Sequence, residues 1–170
     1  MLEFFGIHDI SISMKTAVLY YSLDGNCAFV AGQIKSQLQA DLIRLRTKNE
    51  KRRSFIGKLF WGGSMVMFHK KPPLKPYTFD PAAYDFIIIG VPVWAGSPAP
   101  PIQTFLSETK ITGKKIALFV CHGGGKGESL EKFKALLAGN KIAAEADFVN
   151  PAKSGSEDVN RQIDLLINAV

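Results

Sequence analysis

A chain of 170 residues, 46% of them apolar, fits a single globular domain with one buried core. A net charge of +6 permits an acidic partner or substrate without dictating the fold. Two cysteines, Cys27 and Cys121, exclude a disulfide scaffold and suit a reducing cytoplasm.

No apolar run approaches the roughly 20 residues of a membrane span. The opening MLEFFGIHDISIS lacks the basic and long apolar regions of a secretory signal. Met14 stands directly before the first strand pattern, so residues 1–13 read as an N-terminal extension and 14–170 as one domain.

From there, apolar runs and helical patterns alternate. TAVLYY (16–21) is a continuous β-rich run, as in a strand buried on both faces. NCAFVAGQIKSQLQA follows with Ala28, Val30, Ile34 and Leu38 at helical spacing. DLIRLR (41–46) alternates like an edge strand, and DFIIIG (85–90) is the strongest strand signal. Between them, 47–80 is too long for a bare loop. It reads as a basic turn, a helix over about 54–68 interrupted near Gly62 and Gly63, and an extended proline-containing return. PPIQTFLSET (100–109) opens on prolines suited to a first helical turn. KKIALFVC (114–121) is another buried strand, and GESLEKFKALLAG (127–139) an amphipathic helix ending at a glycine. IAAEADFV (142–149) supplies the last strand, and SEDVNRQIDLLINAV a closing helix with Ser156 as N-cap.

This alternation predicts an α/β fold: a doubly wound, five-stranded parallel sheet in strand order 2-1-3-4-5 with helices on both faces. Ligands in such sheets sit beyond the carboxyl ends of the strands, where the strand order reverses. Three loops fall there: SLDGNC after the first strand, VPVWAGSPAPP after the third and CHGGGKGES after the fourth. The first leads into a helix N-terminus, where free N–H groups and the helix dipole favour a phosphate, although a Ser/Gly/Asn loop also caps helices plainly. In the second, Trp94 is either a stacking surface for a planar ligand or a rim ring packed on Pro98 or Pro100. In the third, Gly123, Gly124 and Gly125 leave amides open to a ligand's edge, or form a flexible lid. Neither the dinucleotide fingerprint nor a P-loop is present. One phosphate site, one ring and one amide-rich loop describe a flavin mononucleotide cleft.

YYSLDGN, GVPVWAGSPAPP and FVCHGGGKG together resemble the flavodoxin family over nearly everything from Lys15 onward. The resemblance implies noncovalent FMN. Its phosphate would lie on Ser22, Asp24, Gly25, Asn26, Cys27 and Ala28, and its ring on Trp94. Its pyrimidine edge would meet backbone at Pro92, Val93, Ala95 and Gly96 and at Cys121, His122, Gly123 and Gly124. No acid–base catalyst is implied, because the flavin carries the chemistry.

The family's phosphate loop carries hydroxyl residues where this chain has Asp24 and Cys27. A carboxylate a few ångströms from the phosphate would oppose it by roughly 1–4 kcal/mol, and a thiol is a weak donor. Placed on either side of the third strand, Cys27 and Cys121 are expected about 9–10 Å apart. That exceeds the roughly 7 Å limit for a disulfide, so they read as buried thiols. His122 reads as a rim histidine rather than a partner of Cys121, since adjacent strand residues point opposite ways.

Lys48, Lys51, Arg52, Arg53, Lys70, Lys71 and Lys75 accompany no nucleic-acid recognition motif and read as a solvated face, or a dock for an acidic redox partner. FIGKLFWGGSMVMF is expected to cover the sheet, with Trp61 walling the cleft. Three functions follow: an FMN electron carrier between partner proteins, an NAD(P)H-dependent quinone or flavin reductase, and a flavin-free binding module. The oligomeric state stays open between monomer and homodimer.

Overall fold

The computed structural model describes residues 14–48, 71–155 and 157–170. Its elements are β1 (Thr16–Tyr21), α1 (Asn26–Leu38), β2 (Asp41–Leu45), a 3-10 turn (Pro81–Ala83) and β3 (Phe86–Trp94). β4 (Ser97–Pro98), α2 (Pro101–Glu108), β5 (Lys115–His122), α3 (Ser129–Leu136), β6 (Lys141–Val149), α4 (Pro151–Ser154) and α5 (Glu157–Ile167) follow. The five long strands are parallel in the order β2-β1-β3-β5-β6, the doubly wound topology expected. The two residues of β4 add a sixth, antiparallel piece, pairing Val93 with Pro98 and Trp94 with Ser97.

The continuous apolar runs follow from burial on both sides of the sheet. Leu19, Ile87, Ile89, Leu118 and Val120 pack with Ile102 and Phe105 of α2 and Leu130 and Phe133 of α3. The intervening residues Val18, Ile88, Ala117 and Phe119 pack with Val30 and Ile34 of α1 and Val159 and Ile163 of α5. β2 at one edge alternates exposed and buried positions near its end, as its sequence predicts.

Three boundaries depart from expectation. β3 does not stop at Gly90 but runs to Trp94, so Pro92 and Val93 are strand residues. A Cβ at Gly90 would lie 1.8 Å from the Phe119 ring, so glycine is there to let the ring pass rather than to end the strand. α3 begins at Ser129, two residues inside the predicted start. A short helix, α4, fills the connection between β6 and α5.

The expected extension at 1–13, the helix over 54–68 with Trp61, and the Ser156 cap lie outside the described residues, as do Lys51, Arg52, Arg53 and Lys70. The proline-containing return is extended where described. The Lys75 N–H donates to the Arg46 carbonyl at 2.7 Å, and the Thr104 hydroxyl donates to the Pro72 carbonyl at 2.9 Å. Phe79 then packs between Tyr84 and Phe105. No helix among the described residues is long and apolar enough to cross a membrane.

Candidate functional site at the carboxyl edge of the sheet

The ends of β1, β3 and β5 and the connection after β6 surround a cleft of about 610 Å³. β1 ends in Tyr21, and the chain turns at Gly25, whose φ of 91° only glycine adopts without strain. α1 then starts with no side-chain cap and no acidic residue in its first turn. Its leading N–H groups and the positive end of the helix dipole face the loop. Beside it the Ser22 hydroxyl is buried with no partner among the described residues, while the Ser22 carbonyl accepts from Arg44 at 3.2 Å. An orphaned hydroxyl next to an uncapped helix start fits a phosphate.

Ser22, Asp24, Asn26 and Cys27 line the cleft, with Leu23 between them. Asn26 is not free to serve a ligand with its whole amide, because its Oδ1 accepts from the Ala152 N–H at 3.2 Å. That bond carries α4 against the start of α1 and brings Ala152 and Lys153 into the cleft wall. Sequence reading missed both residues. The available signal was Lys153 just past the end of the last strand, on the same edge as the other loops.

Pro92, Val93 and Trp94 form the second wall. Trp94 is half-buried and meets Tyr21 edge to face, with ring centroids 5.8 Å apart at 85°. Cys121, His122 and Gly123 form the third wall, joined by Asn150, whose backbone N–H donates to the His122 carbonyl at 2.9 Å. Gly25, Ala28, Ala95, Gly96 and Gly124 do not line the cleft. Ala95 and Gly96 form the tip of the β3–β4 hairpin, where a Cβ on Gly127 would approach the Gly96 Cα to 3.0 Å, so the second and third loops touch.

His122 is withdrawn from the rim, with only 7% of its side chain exposed. Its Nε2 lies 3.2 Å from Asp147 Oδ2, and its buried Nδ1 has no partner among the described residues. Lys126 donates to the other Asp147 oxygen at 2.6 Å. Partial burial pushes the Asp147 carboxyl up, but the bonds from Lys126 and His122 outweigh it and hold the group below its ordinary value. A depressed carboxyl stabilises the fold above its unfolded pKa of about 3.9 and loses that contribution as pH falls through the folded value. Urea unfolding should therefore show Asp147→Asn less stable than wild type at neutral pH, with the gap closing below about pH 4.

Cys27 and Cys121 belong to one core cluster and line the same cleft. Strand spacing does not apply to Cys27, which rides on α1. That helix crosses the sheet toward β5, packing with Ile88, Ala117 and Phe119 in one cluster. Both thiols are buried, as expected, and neither pairs with His122: Cys121 faces α1, and His122 the opposite side with Asp147.

The fold and the cleft at the strand-order reversal define a doubly wound ligand-binding α/β protein. The flavodoxin family model matches residues 15–162, and the chain belongs to the flavodoxin family. A flavoprotein of Lactobacillus acidophilus NCFM, solved in complex with FMN, is 25% identical with a TM-score of 0.70, covering 84% of this chain and 97% of its own. A protein of Bacteroides eggerthii DSM 20697 gives a TM-score of 0.74 at 20% identity, over 90% of this chain and 98% of the other. The two-electron reduced flavodoxin of Megasphaera elsdenii is 16% identical with a TM-score of 0.58, covering 90% and 98%. A comparison with curated protein sequences finds no match.

Proposed function

We propose that this flavodoxin-family chain binds FMN in the cleft and carries electrons between partner proteins. The observation that carries the reading is the uncapped, acid-free start of α1 beside the unpartnered Ser22 hydroxyl, opening into the cleft that also holds Trp94. When bound, FMN supplies the electron chemistry through its ring. The chain's own residues bind and orient. The first-turn amides of α1 and the Ser22 hydroxyl receive the phosphate, with Lys153 adding positive charge at that end. Trp94 offers its face to the ring, and the wall at Pro92, Val93, Cys121 and Gly123 limits access of water.

Asp24 works against this site. It is solvent-exposed and lines the phosphate end of the cleft, so water screens much of its repulsion. Asp24→Thr is expected to tighten FMN by about twofold to tenfold, read from flavin titration; weaker binding would give the carboxylate a constructive role.

The visible spectrum of the purified protein, followed by titration with FMN, tests the reading directly. A yellow protein, or one that takes up added FMN, supports it; a colourless protein that takes up none favours a binding module. Added NAD(P)H and a quinone are expected to give no steady turnover by the lone protein, because an electron carrier needs its partner. Turnover would shift the reading to a reductase.

A further inference from the structure

Along the edge strand β2 and just past its end, burial alternates with period two. Ile43, Leu45 and Thr47 are buried, and Arg44, Arg46 and Lys48 between them are exposed. Three cations thus stand in a row on one face, with successive Cα atoms about 7 Å apart. A fourth joins them. Thr47 bridges Leu74 in an antiparallel pair, and the Lys75 N–H donates to the Arg46 carbonyl at 2.7 Å, so exposed Lys75 lies opposite Arg46. Like charges directly opposite each other work against such a pairing. Among the described residues, no carboxylate forms an ion pair with any of the four.

The row starts at the cleft. Arg44 donates to the Ser22 carbonyl at 3.2 Å, and Ser22 lines the cleft. Leu45 pairs with Tyr21, which sets Arg46 level with Ser22. The exposed acids on this side of the sheet stand at the opposite end: Asp41 opens β2, and Asp85 directly precedes β3. Asp41 and Arg46 are thereby separated by about 16 Å of strand. A face kept only for solubility intersperses the two signs. This one segregates them, with the positive end at the cleft and Asp24 on the adjoining loop offsetting part of the charge.

We propose that Arg44, Arg46, Lys48 and Lys75 form the docking surface for an acidic electron-transfer protein, holding it against the rim of the cleft. The inference rests on the electron-carrier reading and names the partner's chemistry: a cluster of aspartates and glutamates beside its own redox centre. Small, polar, charge-steered contacts suit partners that must meet, exchange an electron and part. The row's place beside the cleft favours such a partner over a nucleic acid, which has no electron to exchange there.

The probe for the test is a small acidic [2Fe–2S] ferredoxin. Its oxidised form is titrated onto the flavin-free, 15N-labelled full chain, and amide shifts are followed by NMR. Shifts should concentrate at residues 44–48 and at Lys75, and affinity should fall about tenfold or more as NaCl rises from about 0.05 to 0.5 M. Arg46→Glu with Lys48→Glu should weaken docking about tenfold or more. Lys75→Glu should also weaken it, and it replaces a like-charge pair by an opposite one, so it should fold at least as well as wild type. On the FMN-loaded chain, the reduced cluster should lose one electron and the flavin gain it, at a stopped-flow rate that falls with salt and in the same variants. Docking that ignores salt, shifts on another face, undiminished affinity in the charge-reversed chains, or tighter capture of a DNA duplex or of anionic lipid vesicles would each overturn the proposal. A chain that takes no FMN yet docks the ferredoxin at these residues supports the surface and refutes the carrier reading; one that takes FMN without docking refutes the surface alone.

Discussion

Replacing Gly90 with alanine is expected to be the most damaging small substitution in the sheet. A Cβ there would sit 1.8 Å from the nearest Phe119 ring atom and 2.2 Å from two others, far inside any tolerable contact. The ring has no room to retreat. It is fully buried between central strand and helices, and meets Phe148 edge to face at 6.0 Å. Added volume in a packed core costs about 1–3 kcal/mol, and an overlap of this depth belongs at or above the upper end. Against a typical total stability of about 5–15 kcal/mol, that is enough to leave a visibly less stable protein. Urea unfolding should show a loss of about 3 kcal/mol or more, and Phe119→Leu in the same chain should recover part of it. A loss below about 1 kcal/mol would mean that β3 and β5 separate more easily than their close packing suggests.

Trp94→Ala should produce the largest change in flavin affinity. The ring is half-exposed on the cleft wall, and edge-on contact with Tyr21 fixes its plane before any ligand arrives. Removing an aromatic platform from beneath a stacked base costs about 1–3 kcal/mol, which here corresponds to a dissociation constant about 5-fold to 150-fold higher. Trp94→Phe should lose less, because a smaller flat face remains. Equal affinity in all three proteins would remove Trp94 from the binding account.

The sheet was legible because its strands are buried on both faces, which turns TAVLYY and KKIALFVC into unbroken apolar runs that need little interpretation. The cleft was legible for the same topological reason: strand order alone brings SLDGNC, VPVW and CHG together. Local punctuation misled. Gly90 and Pro92 look like strand terminators, yet one accommodates a ring from β5 and the other sits opposite Cys121 in the ladder. That Cys27 and Cys121 share one core cluster was not legible, because it depends on how α1 lies across the sheet, which no periodicity encodes. Lys153 was missed because a four-residue helix leaves too short a pattern to read.

The bond between Asn26 and Ala152 has a mechanical consequence. It latches the segment after the edge strand β6 to the start of α1, so fraying of that edge must break the latch before it can spread. An anion resting between that helix start and Lys153 would oppose the same opening, and filling the pocket would thereby restrain a segment well over a hundred positions downstream of the loop that grips the ligand.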